Sequence, residues 1–190
     1  WTNLSHVNTS ACDAVNDQTT PAALPDGSGG AFVVWRDTRS GSADIYAQRL
    51  DARGNALWTA NGLAVCTAAN TQEYPVLCPD GAGGVIVAWH DYRNANYDVY
   101  AQRLSGSGTA LWTANGVSVV VTTSNQQLPV IHEDGTGGAY VIWRDSRNGN
   151  YDLYAQRLTA AGAQAWTSTG LEIAVAAGDQ YNPLLTLDAY

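Results

Sequence analysis

Carboxylates, guanidinium groups and indoles return along this 190-residue chain at a fixed interval. Asp37, Arg39 and Asp44 recur as Asp91, Arg93 and Asp98, then as Asp145, Arg147 and Asp152. Two carboxylates with Asn or Ser side chains between them resemble a calcium loop in outline, because hard cations need several oxygen ligands together. Ca2+ is the one cofactor this pattern suggests. Against it, an Arg stands in every copy where a calcium loop would place an oxygen donor. The competing reading, which the Arg favours, is an Asp–Arg pair with Asx-turns bracing a hairpin.

The indoles form two sets. Trp35, Trp89 and Trp143 fall on alternating positions of apolar runs and read as core. Trp58, Trp112 and Trp166 lie beside turns rich in Gly and Asn, where a broad aromatic face could stack on a sugar or pack between repeats. His6, His90 and His132 occupy non-equivalent places and read as incidental. No nucleophile elbow or paired-carboxylate motif stands out, so the chain reads as non-enzymatic. An active site assembled from non-equivalent residues would escape such a search. Cys12 and Cys66 are repeat equivalents, whereas Cys78 stands where other copies have Leu24, His132 and Thr186. Either Cys66 and Cys78 form a disulfide and leave one thiol over, or all three are small buried thiols. Asn3 and Asn8 begin N-x-[ST] tripeptides, a minor signal for glycosylation.

The elements that must position these residues follow from the repeat. Residues 80–133 and 134–187 share 24 identities in 54 positions without a gap, and internal repetition is the strongest signal in the chain. The second copy shows the unit. Tyr74 to Pro79 is an apolar run ending at the turn Asp80-Gly81-Ala82-Gly83-Gly84. Val85 to His90 is a second strand and Tyr97 to Leu104 a third, with Tyr100, Gln102 and Leu104 predicted on one face and Ala101 and Arg103 on the other. The fourth strand lies within Leu111 to Val121. No stretch carries helical periodicity. Four antiparallel strands per repeat predict an all-β fold, a β-propeller-like array of four-stranded blades with about 3.5 repeats in the chain. The domain reads as one: a half repeat at 1–25, repeats at 26–79, 80–133 and 134–187, and terminal residues 188–190.

The motifs D-G-x-G-G, W-x-D-x-R and D-[ILV]-Y-A-Q-R-L resemble the tandem repeats of secreted bacterial proteins that are taken to be propellers. The resemblance covers almost the whole chain. It implies a secreted or cell-surface protein and carries over no catalytic residue.

Counting strands gives fourteen, with an outer strand in Trp1 to Asp13 and an inner one in Tyr181 to Leu187 that lack companions. Exposed edges seek partners. The expectation is a structural protein whose terminal segments join neighbouring copies into a ring or a filament, the chain being processed or an excerpt. A carbohydrate-binding or adhesive propeller is the alternative, and a glycan-processing enzyme a distant third. The net charge of -8, with all nine basic residues Arg, makes nucleic acid a poor partner. No apolar run approaches the roughly 20 residues of a membrane helix.

Overall fold

The computed structural model describes residues 10–186. Their strands fall into three four-stranded antiparallel sheets, each formed by consecutive strands. The first holds β1 (Gln18–Pro25), β2 (Ala31–Asp37), β3 (Asp44–Leu50) and β4 (Leu63–Cys66). The second holds β5 (Gln72–Pro79), β6 (Val85–Asp91), β7 (Asp98–Leu104) and β8 (Val117–Val120). The third holds β9 (Gln126–Glu133), β10 (Ala139–Asp145), β11 (Asp152–Leu158) and β12 (Leu171–Ala174). Each sheet therefore begins before the Asp-Gly turn, so that a repeat cut at Asp26 or Asp80 divides a hairpin. No helix among the described residues is long and apolar enough to cross a membrane.

Short side-chain hydrogen bonds explain why the sequence turns where it does. In the Asp80 turn, one carboxylate oxygen accepts the N–H groups of Ala82 at 2.8 Å and Gly84 at 2.7 Å, an Asx arrangement repeated at Asp26 and Asp134. Arg103 closes the same turn from β7, donating from Nε to Asp80 at 2.9 Å. Gln102 is buried and staples the long β7–β8 connection, donating to the Thr113 carbonyl at 2.8 Å while accepting the Trp112 N–H at 3.0 Å. The Y-A-Q-R-L motif thus repeats because each of its polar members ties down a turn.

The sheets stack face to face. Phe32, Val34 and Ile45 of the first sheet pack against Val85, Val87 and Trp89 of the second. The opposite face of the second sheet, with Ile86, Ala88 and Val99, packs against Val141 and Trp143 of the third. The middle sheet is therefore covered on both sides, and all seven residues of β6 are buried. The facing predicted for β7 holds, with Tyr100 and Leu104 packed toward the first sheet and Ala101 toward the third, and both faces are covered. On the third sheet the outward face is open: Ile173 is 54% exposed, whereas its repeat equivalents Val65 and Val119 are buried.

Among the described residues there are twelve strands, and most of the strand predicted in Trp1 to Asp13 lies outside them. Tyr181 to Thr186 forms no strand, since no second strand among the described residues lies beside it to complete a hydrogen-bonded ladder. Ser10 to Asp13 are likewise irregular. Leu187, His6, Asn3 and Asn8 lie outside the described residues.

Candidate functional site

The recurring carboxylates face hydrogen-bond donors. Asp91 accepts the Trp89 indole N–H at 2.8 Å, Arg93 Nη2 at 2.5 Å and the Arg93 backbone N–H at 2.9 Å. The Arg93 guanidinium also lies 3.7 Å above the Tyr100 ring. Asp37 and Asp145 hold Arg39 and Arg147 in the same way. Burial raises the Asp37 carboxyl, yet the Arg39 and Trp35 hydrogen bonds outweigh it and leave its pKa lowered. Across the hairpin, Asp44, Asp98 and Asp152 pair in register with Asp37, Asp91 and Asp145. Asp98 accepts from Asn94 and Asn96, and Asp152 from Asn148 and Asn150. Burial raises the Asp44 pKa despite the Ser40 hydroxyl that donates to it, and the Asp98 pKa despite its Asn donors. Among the described residues no group of three or more His, Cys, Asp or Glu side chains could hold a metal ion. The oxygens a calcium ion would need are turned toward N–H and O–H groups instead.

The second set of indoles is not a row of open platforms. Trp58 donates to the Gly106 carbonyl at 3.2 Å and Trp112 to the Ala160 carbonyl at 3.0 Å, in each case a turn of the next sheet. Arg49 and Arg103 grip the same two carbonyls at 2.9 and 3.1 Å. Gly108 and Gly162 make this approach possible, since a Cβ there would stand 3.1 and 2.9 Å from the Trp58 and Trp112 rings. The expectation of sugar-stacking faces is therefore corrected for Trp58 and Trp112: they are latches between sheets. Trp166 is half-buried and packs on Tyr140 with ring centroids 6.0 Å apart.

Of the two readings of the cysteines, a Cys66–Cys78 disulfide or small thiols, the structure has the second: Cys66 and Cys78 are free buried thiols in adjoining sheets. Cys66 accepts from Arg93 at 3.2 Å beside Asp91, while Cys78 packs among Ile86 and Ile131. Burial pushes the Cys66 thiol up to about 12 and raises the Cys78 thiol as well.

What the repeat does bring together is a pocket of about 490 Å³ where β1, β5 and β9 converge. Four equivalent dipeptides line it: Thr20-Pro21, Tyr74-Pro75, Leu128-Pro129 and Asn182-Pro183. In every copy the residue before Pro has a positive φ, between 47° and 53°, which a β-branched residue such as Thr20 rarely adopts. Within the three sheets each dipeptide is a bulge, two residues opposite one core Trp, and Pro fits there because a bulge residue needs no ladder donor. Repeated strain at one place is a mark of a functional site.

Polar residues beside this pocket include two that differ between repeats, Glu73 and His90, and one, Arg144, that repeats Arg36. Glu73 accepts Arg36 Nε at 3.0 Å and the Tyr97 hydroxyl at 3.2 Å, and lies 3.7 Å from His90 Nε2. His90 is wedged between Tyr74 and Tyr97, with centroid distances of 4.8 and 4.6 Å. Burial lowers its pKa to about 4, outweighing the attraction of Glu73. In the third sheet Arg144 reaches the pocket, donates to Gln127 at 2.9 Å and lies 4.4 Å above the Tyr151 ring. From the sequence His90 reads as incidental and Glu73 does not stand out, because both break the repeat, whereas Arg144 repeats Arg36. That break was the available signal: positions that vary within a regular array are released from the packing that fixes the rest.

No protein-family model matches the chain, and no curated protein matches it in sequence. Among solved structures the chain is similar to the endo-arabinase from Bacteroides thetaiotaomicron VPI-5482, with a TM-score of 0.52 and 16% identity. The match covers 89% of this chain and 67% of that one. At that identity the likeness bears on the all-β fold alone.

Proposed function

We propose that the chain is a non-enzymatic, extracellular structural module of propeller type that self-assembles head to tail. The third sheet of one copy takes the first sheet of another, giving a ring or, where the rotation does not close, a filament. The supporting observation is internal to the molecule. Twice within the chain, an indole and a guanidinium from one sheet grip a turn of the next, over a buried apolar face. The third sheet carries the same set in Trp166, Arg157 and Ile173, and its face is open. The first sheet carries the receiving turn, with Gly54 at φ 84°, as Gly108 and Gly162 have 86° and 81°. The exported location rests on the resemblance of the repeats to those of secreted bacterial proteins.

Sedimentation velocity tests this reading. The 20.1 kDa chain is expected to sediment as multimers. An Ile173→Asp, Trp166→Ala variant is expected to remain a single copy with an unchanged circular dichroism spectrum. A wild-type chain that stays a single copy at high concentration sinks the proposal.

A second reading, a glycan-binding module, draws on the likeness to an endo-arabinase. On this chain it would use the inner-strand pocket rather than Trp58 or Trp112, whose faces are occupied. Calorimetric titration with arabinotriose separates it from the first.

A further inference from the structure

We infer that the inner-strand pocket binds a small monocarboxylate whose body has an apolar ring face, and that Arg144 holds the carboxylate. The repeat supplies the control for this assignment. Arg36, His90 and Arg144 occupy one position in successive sheets, and each faces the inner strand of its own sheet and of the next. Arg36 finds a carboxylate there, Glu73, at 3.0 Å. The corresponding residue for Arg144 is Tyr181, a phenol, and its own-sheet partner Gln127 is a neutral amide. No carboxylate lies within 4 Å of Arg144 among the described residues. Its Nε is buried without an acceptor, as are those of Arg93 and Arg147, but unlike them it has no ion-pair partner, Asp179 acting on it only from beyond that range. Every other Arg of the repeat positions has an ion-pair partner, so this lone guanidinium is a departure from the molecule's own pattern. Leaving such a group partly desolvated and unpaired is costly, and an anion entering the pocket removes that cost.

The shape and chemistry of the walls narrow the anion. Pro75, Pro129, Pro183 and Val130 give apolar surface, and Tyr74 and Tyr181 offer ring faces. At about 490 Å³ the space falls in the range of small-molecule sites. Among the described residues Arg144 is the one charged residue lining it. A single guanidinium in a chain of net charge -8 balances one negative charge, which selects a monocarboxylate over a phosphate dianion. The body of the ligand could be an aryl ring or the less polar face of a uronic acid. Both present the same carboxylate-plus-ring chemistry.

Isothermal titration of the wild-type chain with phenylacetate, galacturonate, arabinotriose and inorganic phosphate tests the assignment. At least one of the two carboxylates is expected to bind, and which one does identifies the body the walls accept. Arabinotriose and phosphate are expected to bind at least tenfold more weakly. Arg144→Gln should lose the carboxylate at least tenfold. Gln127→Glu, which places a carboxylate beside Arg144 at the repeat equivalent of Glu73, should lose it equally while raising the melting temperature, so that loss of binding is distinguished from loss of fold. The assignment is overturned if neither carboxylate binds, if arabinotriose or phosphate binds as tightly, or if Gln127→Glu folds and binds like wild type. None of these outcomes depends on whether copies assemble.

Discussion

A buried His that cannot afford its proton ties this fold to pH. His90 is 3% exposed between two Tyr rings, and its pKa is about 4 in the folded chain against an ordinary value of 6.5. The unfolded chain therefore binds more protons between those two values, and stability rises with pH across that window. It is fully present above pH 6.5 and is lost as pH falls toward 4. A displacement of this size corresponds to a few kcal/mol at most, on the order of 1.4 kcal/mol per unit. Asp44 and Asp98, whose pKa values are raised, act in the opposite direction at the acid end. Comparing wild type with His90→Asn isolates the imidazole. The melting temperature of the variant is expected to fall less between pH 6.5 and 4.5. Parallel curves for the two proteins would contradict a neutral His90.

Between elements, the latch residues make a comparison that sequence equivalence alone would miss. Trp112 is 9% exposed against the third sheet, while Trp166, the same residue one repeat later, has no fourth sheet to enter among the described residues. Truncating a packed Trp typically costs about 3–5 kcal/mol, and a partly exposed one much less. Urea titrations run where the chain is a single copy should give Trp112→Ala a loss in the larger range and Trp166→Ala about 1 kcal/mol. Equal losses would mean that the Ala160 turn contributes little to holding Trp112. The same latch explains why Gly recurs at 108 and 162: each removes a Cβ that would meet the incoming indole.

Taken whole, the molecule is a stack in which stability is a sum over sheets and their interfaces, so protection should follow position in the stack. The middle sheet has a neighbour on each face, and β6 is buried along its full length. β1 is mostly exposed and β12 has three of four residues exposed. Amide hydrogen exchange followed by mass spectrometry is expected to be slowest in β6 and β7 and fastest in β12 and β1. Uniform protection across the three sheets would indicate a closed cooperative unit rather than an open stack. Strong protection of β12 that disappears on dilution would instead report the predicted contact between copies.

The sequence by itself determined the unit and its punctuation. A 54-residue interval, apolar runs of strand length and Asp-Gly turns specify four antiparallel strands, because turn geometry and alternation are local properties of a few adjacent residues. The pairing of Asp91 with Arg93 was legible for the same reason, since both sit on one turn. What the tertiary structure decided was everything that depends on the next sheet. Whether Trp112 is a platform or a latch and whether Cys66 and Cys78 meet depend on how neighbouring sheets stack. The pocket is the clearest case. Its four Pro dipeptides could be aligned from the sequence, but only convergence of the inner strands places Glu73, His90 and Arg144 beside them. Repetition records what packing requires of every sheet alike, and the residues freed from that requirement become a site only once the sheets are brought together.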